Sequence, residues 1–180
     1  MARKRSGLPL NGWLAIDKPQ GLTSTAVVTQ VRRITGAAKA GHGGTLDPMA
    51  TGVLPIALGE ATKTVSYVMD GAKSYTFRIR WGQATDTDDA EGKIIAESDL
   101  RPTAEAITAA LGAFQGEIQQ IPPRYSAVKV AGQRAYALAR EGEEVELKAR
   151  TVRIVSFCLG NIIDPDHADF TVQSGKGTYM

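Results

Sequence analysis

Hydrophobic spacing divides the first part of the chain into a strand and a helix. Residues 12–17 predict a short strand that ends at the turn Lys18–Gly21. Ser24 predicts the N-cap of a helix that Gly36 closes. One face of this helix carries the apolar side chains that are expected to point inward, namely Val27, Val28, Val31 and Ile34.

A glycine-rich stretch separates this helix from a second strand and helix. Residues 40–52 predict an irregular loop, and residues 53–58 predict a buried strand. Pro55 assigns that strand to a sheet edge or a bulge, because proline has no N–H for the ladder. A helix over about 60–70 would place four apolar side chains inward, namely Ala61, Val65, Val68 and Met69.

Strand patterns dominate after residue 73. Four apolar side chains alternate with polar ones, as is typical of a half-buried strand: Tyr75, Phe77, Ile79 and Trp81. A polar loop over 83–92 leads to a strand at 93–97. Thr103 predicts the start of a helix with five inward side chains, namely Ala106, Ile107, Ala110, Leu111 and Phe114.

The last third of the chain adds three strands. The first is predicted at 125–130, and it precedes a short helix with Ala135, Leu138 and Ala139 inward. In 151–159 the apolar phase slips between Ile154 and Val155, which indicates a bulge, whereas 167–173 alternate regularly. Strands separated by irregular loops, with helices not strictly interleaved, favour an α+β fold with a largely antiparallel sheet.

Charge is distributed unevenly along the chain. The net charge is only +2, but residues 1–40 hold seven basic side chains against one acidic, so the rest of the chain is net negative. Such a cluster, which includes Arg3, Lys4 and Arg5, is typical of a surface that faces a polyanion. A solubilising tail with a solvated helix face explains the charge equally well.

Composition excludes several classes of protein. The single cysteine, Cys158, excludes an intramolecular disulfide framework and fits a reducing cytoplasm. Two histidines and one cysteine are too few for the usual structural zinc sites, and no apolar run is long enough to span a bilayer.

The most unusual segment is the loop Gly41–Gly52, which holds one carboxylate, Asp47. Pro48 restricts Asp47 to an extended conformation, and the surrounding glycines permit a ligand to approach closely. A catalytic carboxylate needs such restraint, because a small misplacement lowers the rate steeply. The competing interpretation is a structural aspartate that forms an Asx-turn or caps a helix.

Two other ligand motifs do not fit. The segment Gly59–Thr64 lacks the glycine that a phosphate-binding loop requires before its lysine. The acidic run Asp86–Gly92 has Ala90 at a calcium-ligand position and is flanked by strands, so we expect a polar loop without a metal.

Four other side chains are candidates for nucleic-acid contacts: His42 and Tyr75 for bases, Lys18 and Lys63 for phosphates. Singly, each of these residue types is more often structural.

Taken together, these segments closely resemble the TruB family of bacterial tRNA pseudouridine synthases. The most specific match is G-T-L-D-P-x-A-T-G, which is Gly44–Gly52 here. Further matching blocks cover residues 14–24, 54–63, 82–92, 121–129 and 176–179.

The resemblance implies a pseudouridine-synthase-like fold, in which helices flank a mixed, largely antiparallel sheet and the active-site loop lies in a central cleft. The implied reaction is the isomerisation of uridine 55 in the T loop of tRNA to pseudouridine, after the base has been flipped out of its stack. No cofactor is expected, because neither redox chemistry nor group transfer occurs. The expected partner is the T-arm of tRNA, and the enzyme is expected to be a cytoplasmic monomer that binds no membrane and no metal.

The resemblance also assigns roles to individual residues. The family's essential carboxylate falls on Asp47, which would either attack C1′ of the ribose or assist proton abstraction from it. Tyr75 matches the tyrosine that packs on the target base, and His42 matches the histidine that fills space in the T loop. Tyr179 matches another substrate-contacting tyrosine, and Lys18 and Lys63 stay candidates for substrate binding.

By this resemblance the chain comprises a basic N-terminal tail, 1–10, and a catalytic domain, 11–180. Family members continue past the position of Met180 with an arginine that pairs with the catalytic aspartate, and usually with a small RNA-binding domain. The 180-residue chain alone is therefore expected to be inactive or strongly impaired, because Asp47 would lack the partner that keeps it ionised. Gly43 departs from the family pattern, which often has threonine or alanine there, and Gln173–Gly175 replaces a cysteine-containing segment.

Two other functional classes are the alternatives. One is a non-catalytic module that binds or folds tRNA, and the other is a carboxylate-dependent hydrolase that releases uracil. The joint occurrence of Asp47, Tyr75, His42 and the matching blocks favours the isomerase.

Overall fold

The computed structural model describes residues 7–123, 126, 128–130, 133–134 and 147–180. The chain divides into two compact units, Met1–Gly71 and Ala72–Met180. Three sequence predictions fall wholly or partly outside the described ranges: the basic side chains at 3–5, the short helix at 135–139, and residues 125 and 127 of the strand predicted at 125–130. Of the described part of that predicted strand, only Lys129–Val130 is a strand.

The first unit is built around a three-stranded antiparallel sheet with the order β1-β3-β2. Its elements are β1 (Gly12–Lys18), α1 (Ser24–Thr35), β2 (Ala40–His42), β3 (Gly52–Leu58), a 3-10 helix (Gly59–Thr64) and α2 (Val65–Asp70). The core lies between this sheet and α1 and comprises Val27, Val31, Ala37, Leu54, Ile56 and Leu58. The loop predicted at 40–52 thus begins with a short strand, β2.

The prediction that Pro55 marks a sheet edge or a bulge was wrong, because β3 is the central strand. Pro55 pairs with Ala15 of β1, and its carbonyl accepts a hydrogen bond from Gly43 N at 2.7 Å. In a strand the N–H and C=O of one residue point to the same side. The missing N–H of Pro55 therefore faces Gly43, just beyond the last paired residue of β2, His42, so the pairing of β2 with β3 ends where proline cannot donate.

The N-cap of helix α1 lies one residue earlier than predicted. Its N-cap is Thr23, whose Oγ1 accepts a hydrogen bond from Ala26 N at 3.1 Å, so the assignment of Ser24 as the cap was wrong. Gly36 closes the helix with φ 67°, as predicted. Val27 and Val31 are buried, but Ile34 is 78% exposed, so the predicted apolar face ends before the last turn.

The segment after β3 is only partly α-helical. The 3-10 helix precedes α2, and Val65 and Val68 are half-buried, whereas Met69 is exposed, contrary to prediction. At the other end of the unit, Leu8 forms a parallel bridge with Ala37. Leu8, which lies within the predicted tail 1–10, is thus attached to the unit.

The second unit contains a four-stranded antiparallel sheet with the order β4-β11-β10-β7. The described strands of the whole second unit are β4 (Lys73–Arg80), β5 (Gln83–Thr85), β6 (Ile94–Glu97), β7 (Gly116–Gln120), β8 (Lys129–Val130), β9 (Gln133–Arg134), β10 (Arg150–Asp164) and β11 (His167–Ser174). Outside the four-stranded sheet, β5 pairs with β6 and β8 pairs with β9. The alternation predicted for β4 and β11 is confirmed, since Ala168, Phe170 and Val172 are buried. The register of β10 shifts between Ile154 and Ser156, which confirms the predicted bulge.

Helix α3 (Ala104–Leu111) packs on this sheet more narrowly than predicted. Thr103 caps it, accepting a hydrogen bond from Ala106 N at 3.3 Å, as predicted. Ile107 and Leu111 are buried with Phe170, whereas Ala106, Ala110 and Phe114 are exposed, contrary to prediction.

The polar loop predicted at 83–92 is shorter than expected. Its first residues, Gln83–Thr85, form β5, which pairs with β6 as a hairpin.

These elements form an α+β fold in which every pair of described strands is antiparallel. Among the described helices, none is both long and apolar enough to cross a membrane.

Candidate active site

The loop that carries Asp47 runs from β2 to β3 and is anchored in the sheet at both ends. On one side, His42 pairs with Ile56, and Gly43 N donates to Pro55 O. On the other side, Gly52 pairs with Lys18 at the end of β1. The loop therefore spans two fixed points of one sheet.

The residue before Asp47 is held by the first turn of α1. The hydroxyl of Ser24 accepts a hydrogen bond from Leu46 N at 2.9 Å and donates one to Leu46 O at 3.0 Å. Ser24 is only 3% exposed, and the side chain of Leu46 packs against the core of the unit. Thr23 caps the helix, so the hydroxyl of Ser24 serves the loop instead.

The residue after Asp47 is held by the turn that follows β1. Pro48 O accepts hydrogen bonds from Gly21 N at 2.7 Å and from Lys18 Nζ at 3.3 Å. Lys18 Nζ also donates to Pro19 O at 3.0 Å and to Leu22 O at 2.8 Å. One ammonium group thus ties the turn to the loop.

Asp47 itself is exposed on this restrained backbone. Its carbonyl accepts a hydrogen bond from Ala50 N at 3.1 Å, which closes a turn. Residues 48–51, all of them described, contain a turn and no helix, so Asp47 is not a helix cap. The arrangement presents a carboxylate to solvent from a backbone fixed on both sides.

Lys18 is placed as a support of the loop rather than as a surface cation. It is 0% exposed, and it follows Leu14 and Ile16 in the inward phase of β1. A contact between Lys18 and a phosphate would require the ammonium to leave three carbonyls, so the geometry favours a positioning role. The period-two pattern of β1 was the sequence signal for this placement.

His42 lies beside a tightly packed glycine. The Nδ1 atom of His42 is buried and has no hydrogen-bond partner within the described ranges. A Cβ atom at Gly43 would lie 3.1 Å from Val68 Cγ1 and 3.3 Å from Trp13 Cζ3. Glycine at this position therefore accommodates the close approach of Trp13 and Val68.

Lys63 forms an exposed ion pair with Glu60 in the 3-10 helix. The hydrogen bond and the charge of Lys63 lower the pKa of Glu60 below its ordinary value. Glu60 N donates to Asn11 Oδ1 at 2.7 Å, which ties this turn to the start of β1. Contact between Lys63 and an RNA phosphate remains a prediction.

The two candidate tyrosines lie in the second unit. Tyr75 is half-buried in β4 and pairs with Val172 of β11. Tyr179 lies beyond β11, where Gln120 of β7 hydrogen-bonds to its backbone twice: Gln120 Oε1 accepts from Tyr179 N at 2.9 Å, and Gln120 Nε2 donates to Tyr179 O at 2.8 Å. The guanidinium of Arg150 lies over the Tyr179 ring, 5.0 Å from its centroid.

The structure thus assembles two sets of residues. In the first unit Lys18 and Ser24 converge on the segment around Asp47, and in the second unit Gln120 and Arg150 converge on Tyr179. Sequence patterns did not single out Gln120 or Arg150, because hydrogen bonds between remote segments leave no periodic signal. That both sets serve one site remains a prediction.

No group of three or more His, Cys, Asp or Glu side chains in the described ranges is placed to hold a metal ion.

Comparison with solved structures identifies the fold class. A crystal structure of a Cbf5–Nop10–Gar1 complex contains a chain that matches with a TM-score of 0.67 at 29% identity, over 94% of this chain and 41% of that one. The α+β arrangement with antiparallel sheets is accordingly that of a pseudouridine synthase fold.

The sequence comparisons then give the family. The model of the TruB family pseudouridylate synthase N-terminal domain matches residues 32–180, and the chain belongs to this family. It is 61% identical over 180 residues to tRNA pseudouridine synthase B of Rhodospirillum rubrum and 60% identical over 180 residues to that of Ruegeria pomeroyi. The chain spans 58% and 59% of the length of these two relatives.

Proposed function

We propose that the protein containing this chain converts uridine 55 in the T loop of tRNA to pseudouridine, with Asp47 as its catalytic carboxylate. The observation that carries the proposal is the exposure of Asp47 on a loop whose backbone is fixed at Leu46 and at Pro48. Family membership and the relatives named tRNA pseudouridine synthase B support the reaction.

The isomerisation requires no atoms beyond those of the substrate and solvent. The bond between N1 and C1′ breaks, the base turns, and C5 forms the new bond to C1′. C5 then loses its proton to solvent, and N1 gains one. The demand on the protein is a carboxylate at the sugar and a pocket that retains the detached base.

A restrained carboxylate suits both routes open to Asp47. As a nucleophile it would add to C1′ and be displaced by C5, as in retaining glycoside chemistry. As a base it would assist removal of a proton from the ribose. In each route the carboxylate must meet the sugar at a fixed distance, which the hydrogen bonds to Leu46 and Pro48 favour.

Access to the sugar also requires base flipping. A stacked T loop shields the target nucleotide, and eversion costs a few kcal/mol that contacts in the pocket must offset. Tyr75, Tyr179 and His42 are the candidates for stacking and space filling, and Lys63 is the candidate for a phosphate contact.

The test is pseudouridine formation by the intact protein on a tRNA substrate, comparing wild type with Asp47→Asn. We expect the variant to form no product while it retains tRNA binding, because the amide neither attacks C1′ nor accepts a proton. Asp99→Asn is the matched control, since Asp99 is also an exposed aspartate and lies outside the site. A tRNA with cytidine at the target position serves as the substrate control.

The other functional classes predict different results. A tRNA-binding module predicts equal behaviour of wild type and Asp47→Asn, and a hydrolase predicts free uracil. A substrate deuterated at C2′ separates the two routes, because removal of that proton in the slow step produces a primary isotope effect, whereas attack at C1′ does not.

A further inference from the structure

The segment that carries Tyr179 is fixed by two residues of neighbouring strands. It leaves the sheet after β11 through Gly177, whose φ of 79° turns the chain. Within the turn itself, Thr178 Oγ1 donates a hydrogen bond to Gly175 O at 3.2 Å. The further restraint on Tyr179 comes from other parts of the second unit.

Gln120 supplies the backbone restraint. Its amide accepts from Tyr179 N and donates to Tyr179 O, at 2.9 Å and 2.8 Å. These are the two bonds that a residue on an adjacent strand would exchange with Tyr179. Gln120 can take that part because it ends β7, which is an edge strand of the sheet.

Arg150 supplies the restraint on the ring. Arg150 of β10 pairs with Gln120 of β7, so the two residues are cross-strand neighbours. The guanidinium of Arg150 lies over the Tyr179 ring and donates to Gly177 O. One planar cation therefore holds the turn and restricts the ring that follows it.

We propose that Gln120 and Arg150 are positioning residues for the reaction and act on the substrate through Tyr179. The inference rests on the proposed function, in which Tyr179 contacts the substrate. The rate of the chemical step therefore depends on Gln120 and Arg150, although neither is assigned a contact with RNA.

The structure offers a matched control one residue away. Gln119 is also a glutamine of β7, and its Nε2 donates to Thr151 Oγ1 at 2.9 Å on the exposed surface of the sheet. Gln119→Met thus removes one amide hydrogen bond and Gln120→Met removes two from the same strand. Only the second removes a bond to Tyr179.

The experiment measures single-turnover pseudouridine formation at saturating concentrations of the intact protein, together with KM from steady-state turnover. We expect Gln120→Met to lower the rate about tenfold with KM changed less than about threefold, because a misplaced group lowers the rate of the chemical step. Gln120→Glu keeps the acceptor for Tyr179 N–H and should fall between Gln120→Met and wild type. Gln119→Met should match wild type.

A second comparison separates positioning from general damage. In a Tyr179→Ala background, Gln120→Met and Arg150→Met should add little further loss, because the side chain through which they act is gone. The same additional loss in that background, or a wild-type rate for Gln120→Met, would overturn the proposal.

Hydrogen exchange at Tyr179 N–H gives a readout that does not depend on turnover. Gln120→Met should accelerate exchange at this amide relative to Gln119→Met. If the wild-type protein forms no pseudouridine, the proposed function fails, and unchanged exchange in Gln120→Met separately rejects the restraint by Gln120.

Discussion

The hydroxyl of Ser24 hydrogen-bonds to both backbone polar groups of Leu46, at 2.9 Å and 3.0 Å, immediately before Asp47. These two bonds connect the first turn of α1 to the middle of a loop 22 residues further along the chain. Because Lys18 and Gly21 hold Pro48 from the other side, Asp47 is the one residue between two anchored neighbours. The geometry of the candidate active site therefore originates in the turn between β1 and α1.

Ser24→Ala tests this relationship. The substitution removes both bonds and leaves a half-buried N–H and C=O without a partner, so we expect a loss of about 1–2 kcal/mol of stability. The rate of pseudouridine formation should fall about tenfold at saturating enzyme, because the carboxylate is less well placed. Denaturant unfolding and single-turnover kinetics measure the two effects.

A neighbouring position on the same helix provides the control for Ser24→Ala. Thr29 Oγ1 donates to Thr25 O at 3.0 Å on the exposed face of α1 and touches no loop residue through that bond. Thr29→Ala should leave the rate unchanged. Equal rates for Ser24→Ala and Thr29→Ala would show that the Ser24 bonds do not position Asp47.

Lys18→Met tests whether the buried ammonium is a support or a phosphate ligand. Methionine keeps most of the volume but leaves three carbonyls without their donor, so we expect a loss of about 3 kcal/mol of stability. Lys93→Met, at an exposed lysine, should lose far less. If Lys18 instead contacts tRNA directly, the substitution would reduce the salt dependence of binding by about one counterion and leave stability near that of Lys93→Met.

Local pattern was sufficient for much of the fold. The alternation from Tyr75 to Trp81 predicted β4, and the phase slip at Ile154 predicted the bulge of β10 before any pairing was known. Gly36 ended α1 as predicted, since a left-handed C-cap favours glycine. Structural features that depend on a short local segment could therefore be predicted from the sequence.

Features that depend on contacts with distant segments could not be predicted from the sequence. Pro55 was assigned to an edge because proline lacks an N–H, but whether that group is needed depends on where β2 stops. Ser24 and Thr23 are both good caps, and the loop decides between them by engaging the Ser24 hydroxyl. Ile34 lies in the last turn of α1, beyond the residues that face the core, and Phe114 lies after α3 in a short 3-10 helix, Gly112–Phe114, so both side chains are exposed.

The site was predictable only in part for the same reason. The glycine and proline around Asp47 identified a restrained carboxylate, but not the hydrogen bonds that restrain it. Lys18 was predicted to lie in a turn as a candidate phosphate ligand, whereas it is buried at the end of β1, and its three carbonyl partners come from the turn and from the loop. Gln120 and Arg150 had no sequence signal at all.

Gly59→Ala tests the junction between β3 and the 3-10 helix. Gly59 has φ 54°, and a Cβ atom would lie 2.2 Å from both Leu10 O and Asn11 Oδ1. The backbone must shift and the hydrogen bond from Glu60 N to Asn11 must weaken, so we expect a loss of about 1–3 kcal/mol.

Gly112→Ala is the opposite case and serves as the control for Gly59→Ala. Gly112 has φ −59° at the end of α3, and a Cβ atom there meets nothing within 4 Å. We expect it to stabilise the protein by about 0.4–1 kcal/mol, because alanine reduces the entropy of the unfolded chain. Thermal unfolding of both variants measures the contrast, and equal shifts would contradict the conformations of the two glycines.

The ion pair between Arg78 and Asp169 predicts a pH dependence of stability. Arg78 of β4 donates to both carboxylate oxygens of Asp169 on the paired strand β11, at 2.7 Å and 3.0 Å, and this lowers the pKa of Asp169 below its ordinary value. A carboxyl group whose pKa is lower in the folded state stabilises the protein above its unfolded pKa, and the stabilisation is lost as the pH falls through the folded pKa. The difference in Tm between wild type and Asp169→Asn should therefore be largest near neutral pH and should shrink below about pH 4. In an Arg78→Met background the same substitution should show little pH dependence, because the cause of the lowered pKa is absent; a difference in Tm that persists there would assign the effect to another partner of Asp169.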